Sequence, residues 1–173
     1  MRCRSTGFTL VEMMVTVVVL AILSSIGFQA YQSIVVSIRM SGEINSLLGT
    51  LAFARSEALK RGQKVSVCPS PSPTAATNTC TNSTAWSTGW VVLPSSTAPL
   101  PLQISNGLTG GYTLTSIPTS VGAVAYPTFS SAGYTFFVGK LRLTERTNNA
   151  NLNRCIVFSA GSWSTMKGAA NCP

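Results

Sequence analysis

The acidic side chains of this 173-residue chain are four glutamates: Glu12, Glu43, Glu57 and Glu145. There is no Asp and no His. A Ser-His-Asp triad, a His zinc centre and an Asp-rich calcium or magnesium loop therefore lack their parts. The glutamates are far apart in sequence and Glu12 lies inside an apolar run, so a paired-carboxylate glycosidase is not expected. The other groups with chemistry are Cys3, Cys68, Cys80, Cys155 and Cys172, and twelve Lys and Arg residues that bring the net charge to +8. Charged residues make up 9% of the chain, against about 25% in an ordinary soluble domain. The expectation is a basic, membrane-linked, non-enzymatic protein with no metal or cofactor.

Glu12 is the residue whose position most needs an explanation. It is the one charge in a 21-residue apolar run, Phe8 to Phe28. As a helix the run would span about 31 Å, close to the hydrocarbon core of a bilayer. Arg2 and Arg4 precede it, and positive flanks stay cytoplasmic, so the rest of the chain is expected outside. Ionisable groups within such segments are functional candidates, although a carboxylate near a helix start is also favoured by the helix dipole. The stretch Ser24, Ser25, Ile26 and Gly27 matches an ordinary signal cleavage site poorly. A small-residue site stands ahead of the run instead, at Ser5, Thr6 and Gly7.

The order Gly7, Phe8, Thr9, Leu10, Val11, Glu12 followed by an apolar helix resembles the class III signal of type IV pilins and pseudopilins. The resemblance implies cleavage between Gly7 and Phe8 by a prepilin peptidase and N-methylation of the new Phe8 amine. It also gives Glu12 an assembly role, neutralising the Phe8 amine of a neighbouring subunit. Residues i and i+4 share a helix face, which sets Glu12 beside its own Phe8 as well.

The elements that would carry these residues follow from periodicity. From Gln29 to Arg61 the pattern stays helical but turns amphipathic, with Tyr31, Ile34, Val35 and Ile38 on one stripe. Ile44, Leu47, Leu48, Leu51, Ala54 and Ala58 form another. The stripes are out of phase, so a bend or a change of packing partner is expected at residues 40–43. Lys60 and Arg61 suit a helix end and Gly62 its C′ position. The helix from Phe8 to Arg61 would be about 80 Å long.

From Gln63 onward the signals are those of strands: Lys64–Cys68, Trp90–Leu93, Leu100–Ile104, Tyr112–Ile117, Val121–Tyr126, Tyr134–Val138, Lys140–Thr144, Cys155–Ser159 and Ser162–Met166. Residues 69–85 read as a Pro/Ser/Thr/Asn-rich loop. The organisation is a leader at 1–7, a transmembrane or filament-core helix at 8–28, an amphipathic continuation at 29–62 and a β-rich head at 63–173. The fold class is α+β: a long N-terminal helix packed on a C-terminal antiparallel sheet, as in pilins. Once the leader and Cys3 depart, four cysteines remain, an even count that suits disulfides in an exported domain. Three pairings are possible, and free thiols remain an alternative. Local pairing, Cys68–Cys80 and Cys155–Cys172, is expected.

The sequences A-R-S-E-A at Ala54–Ala58, V-S-V-C at Val65–Cys68 and G-W-V-V at Gly89–Val92 resemble the FimT/GspH family of pilin-like proteins. The resemblance implies a minor pilin of the type IV pilus, a structural subunit acting in pilus assembly and priming. The alternative is the H-type minor pseudopilin of type II secretion. Either sits as a single-pass protein in the inner membrane with its head in the periplasm, then enters a filament with other pilins or pseudopilins.

A reading of a different class is weak DNA binding for DNA uptake. It would rest on Lys140, Arg142, Arg146, Arg154 and Lys167, since a basic surface attracts phosphates without sequence preference. Some FimT proteins are associated with DNA through a G-R-x-R sequence, where this chain has Gly161, Ser162, Trp163 and Ser164.

Overall fold

The computed structural model describes residues 7–73, 79–95, 100–119, 124–147, 149–159, 161–168 and 172; for 26–30 it describes the backbone alone. Helix α1 runs without interruption over Leu10–Arg61. It starts where Thr9 Oγ1 accepts the Glu12 N–H at 3.2 Å, an N-cap that satisfies one of the free amides of the first turn. It stops after Lys60 and Arg61, whose charges suit the negative end of the helix. Gly62 then takes φ +64°, a left-handed conformation that lacks the Cβ penalty of other residues.

The chain divides into two compact units, Met1–Ile38 and Arg39–Pro173. In the first, the described side chains from Leu10 to Ser25 are exposed. Among the described residues no helix is long and apolar enough to cross a membrane.

The second unit begins where burial begins. Met40, Ile44, Leu47, Leu51, Ala54 and Ala58 are buried, spaced by three or four residues as one face of a helix requires. Burying each large member of the stripe contributes about 1.5–3 kcal/mol. The change of stripe read at residues 40–43 coincides with the onset of burial at Met40, and the helix continues through it.

Among the described residues eight strands follow: β1 Val65–Pro69, β2 Gly89–Pro94, β3 Gln103–Asn106, β4 Thr113–Pro118, β5 Thr128–Phe129, β6 Gly139–Thr144, β7 Arg154–Ser159 and β8 Ser162–Lys167. They form two antiparallel sheets, one ordered β3-β2-β1-β5 and the other β4-β6-β7-β8. In the first sheet Val67 pairs with Val92, and Trp90 Nε1 donates to Thr50 Oγ1 of α1 at 3.4 Å. That contact turns Trp90, Val92 and Val67 toward the helix. Cys68, Val91 and Leu93 face the other way, into a smaller cluster covered by Cys80 and Tyr126. In the second sheet Leu114, Leu141, Leu143, Ile156 and Phe158 are buried. Thr113, Thr115, Lys140, Arg142 and Val157 alternate with them onto the outer face.

Three strand expectations differ from the structure. The third strand begins at Gln103, because Pro101 has no N–H to give a ladder. Residues 121–123 of the expected strand Val121–Tyr126 lie outside the described residues, and 124–126 carry no strand. Tyr134–Val138 alternates exposed and buried side chains as a strand does. Only Thr135 bridges Phe129, because the Phe137 N–H bonds locally to Thr135 Oγ1.

Candidate functional site

The first candidate site is the turn ahead of α1. Gly7 and Phe8 precede the helix, with Phe8 77% exposed. A Cβ built on Gly7 meets nothing within 4 Å. Among the described residues nothing sets a steric demand for glycine there. Glu12 is exposed, four residues after Phe8, and no ion pair engages it among the described residues. Thr9 is the residue of this site that the sequence reading passed over. The signal was present: Thr9 followed three residues later by Glu12 is a capping-box pattern. Because its amide is held by Thr9, Glu12 occupies the first helical turn with its carboxylate outward.

The cysteines pair locally, as expected. Cys68 bonds Cys80 with their Cα atoms 5.3 Å apart, and Cys155 bonds Cys172 at 5.7 Å. The first bridge ties β1 to the loop after it, where Thr81 also returns two hydrogen bonds to the Pro69 carbonyl. The second places Cys172 on the outer face of the β4-β6-β7-β8 sheet. Among the described residues no group of His, Cys, Asp and Glu could hold a metal ion.

The five cations are divided. Lys140 and Arg142 lie on the outer face of β6, paired across to Ile117 and Thr115 of β4. Arg146 is exposed in the turn after β6, its aliphatic stem against Gly111. Arg154 is buried on the opposite face, donating from Nη1 to the Leu152 and Asn153 carbonyls at 2.8 and 3.4 Å. Burial lowers its pKa from the ordinary value. Lys167, opposite Arg154 in the β7–β8 register, is exposed and borders a cleft with Ser41 and Asn45 of α1.

The charges of the A-R-S-E-A segment are engaged within the head. Glu57 accepts from Arg61 Nε at 2.6 Å, and this bond is the main cause of its lowered pKa. Arg55 lies over the Trp163 ring.

Two family models match: a prokaryotic N-terminal methylation motif over residues 2–28, and the type II transport protein GspH over residues 43–162. The chain belongs to the GspH family. Residues 43–162 take in most of the buried stripe of α1 and seven complete strands. No curated protein sequence matches this GspH-family chain. Among solved structures it resembles the type IV minor pilin FimU of Pseudomonas aeruginosa in two crystal forms. One match has 17% identity, a TM-score of 0.57, and covers 78% of this chain and 92% of FimU. The other has 20% identity, a TM-score of 0.52, and covers 75% and 93%. At these identities the likeness shows a shared fold: a long helix packed on antiparallel sheets.

Proposed function

We propose that this GspH-family chain is a minor pilin of a type IV pilus, acting in pilus assembly and priming. A prepilin peptidase removes residues 1–7, the Phe8 amine is methylated, and Glu12 neutralises a neighbouring subunit's terminus during assembly. The observation that carries the reading is the methylation motif at 2–28, which takes in the start of a helix whose described side chains from Leu10 to Ser25 are exposed and mostly apolar. Leaving these side chains in water costs about 25 cal/mol per Å² of apolar surface. The inner membrane, and later a filament core, would cover residues 8–28, with the head in the periplasm.

Mass spectrometry of the membrane-extracted protein tests this. An N-methylated Phe8 terminus is expected, and an intact Met1 terminus in cells with active prepilin peptidase would overturn it. Glu12→Ala should be cleaved normally yet assemble poorly.

Membership of the GspH family fits the H-type minor pseudopilin of type II secretion equally well. Neighbouring genes for pilus assembly or for secretion separate the two.

A DNA-binding role draws support from Lys140 and Arg142 sharing one face of β6, with Arg146 at its end. Arg154, buried, and Lys167, on the other face, stand apart from that group. Binding should be weak and salt-dependent. Comparing duplex DNA at 50 and 200 mM salt, loss of one phosphate contact should reduce the log–log slope by about 1. Binding unchanged in Lys140→Ala/Arg142→Ala would reject this face.

A further inference from the structure

The extended segment 134–138 turns Tyr134, Phe136 and Val138 outward and Thr135 and Phe137 inward. Phe136 is 84% exposed, Tyr134 58% and Val138 47%. Phe136 and Val138 border a cleft of about 350 Å³ together with Val124, Tyr126 and Phe137. Its rim carries one charge, Lys64, at the start of β1. Phe136, Val138 and Val124, all exposed around a cleft beside an edge strand, form the kind of surface that marks a protein contact.

Charge decides the occupant. Lys64 is exposed and has no ionic partner among the described residues. A second copy of this chain is a poor match, because two of its four glutamates are committed elsewhere. Glu57 is paired with Arg61 and Lys60, and Glu145 is bonded to Thr147 and Asn149. Glu12 and Glu43 lie on α1, and a chain that has lost Arg2 and Arg4 with residues 1–7 still keeps ten Lys and Arg against four Glu, so two copies repel. A complementary partner presents an apolar side chain to the cleft and a carboxylate to Lys64.

We infer that the cleft between Phe136 and Lys64 docks a different pilin-family subunit of the same filament, through a segment carrying an apolar residue beside an Asp or Glu. The inference rests on the filament reading above. It adds the surface, the chemistry of the partner, and the exclusion of self-association at this face.

A photo-crosslinking phenylalanine analogue at position 136 of the full chain, in cells that express the filament system, tests it. Mass spectrometry should find the link to another chain with its own N-methylated terminus, at a segment containing Asp or Glu. Lys64→Glu should reduce the cross-link about three- to fivefold, the size expected of one exposed ion pair, with an unchanged thermal midpoint in detergent. A link to a second copy of this chain overturns the proposal, as does no link, or a yield indifferent to Lys64→Glu, while Phe8 is methylated. An unmethylated Phe8 overturns the filament reading, and the docking proposal with it.

Discussion

The Arg55 guanidinium of α1 lies 5.7 Å from the centre of the Trp163 ring of β8. Trp163 also meets Phe129 of β5 edge-on at 5.6 Å and Phe158 of β7 at 6.4 Å. One indole thus touches the helix and both sheets. A double-mutant cycle on Arg55→Ala and Trp163→Phe in the detergent-solubilised chain should give a coupling of about 0.5–1 kcal/mol. A coupling of zero would reduce Arg55 to a solvated helix charge.

Stability should fall in acid through Glu145. Burial raises its pKa, but bonds from the Thr147 hydroxyl and amide and the Asn149 amide outweigh that and leave it below the ordinary 4.5. A depressed carboxyl stabilises the fold above its unfolded value and loses that contribution as pH falls through the folded one. The melting temperature of the native chain should therefore drop below pH 4.5 more than that of Glu145→Gln. Parallel curves would remove Glu145 as the source.

Gly89→Ala should be among the most damaging single substitutions in the head. Gly89 sits at φ +124°, and a Cβ there would come within 2.5 Å of the Ser105 carbonyl oxygen on β3. Such a conformation costs a non-glycine residue about 1–3 kcal/mol before the clash is counted. A melting temperature within a degree or two of wild type would show that the β2–β3 pair can shift apart.

Removing the Cys155–Cys172 bridge, by changing both residues to Ala, should cost about 3 kcal/mol on the loop-entropy account. The bridge closes a separation of 17 residues. Non-reducing peptide mapping should show Cys68 linked to Cys80 and Cys155 to Cys172; a Cys68–Cys155 peptide would contradict the geometry.

What the sequence made legible followed strong local signals. The helix end at Gly62, the buried stripe from Ile44 to Ala58 and the strands around Trp90, Leu141 and Ile156 all announce themselves by period and by turn residues. Thr128–Phe129 did not, because a two-residue strand has no period to read and is defined by its partner, Val65. Tyr134–Val138 misled for the opposite reason. Alternation reports which side chains are covered and says nothing about backbone pairing. The basic residues showed the same limit: Arg142 and Arg154 look alike in sequence, and only the register of β6 and β7 puts them on opposite faces.

The chain visits its two sheets out of order. It lays down β1, β2 and β3 in one sheet, crosses to the other for β4, returns for β5, and leaves again for β6, β7 and β8. Neither sheet is complete until the chain has passed back through its neighbour, so neither is an autonomous foldon. Amide protons on β1 and β7 should then exchange with a common opening free energy. A protease that nicks the chain between β4 and β5 should release no stable half, but collapse the head in a single transition.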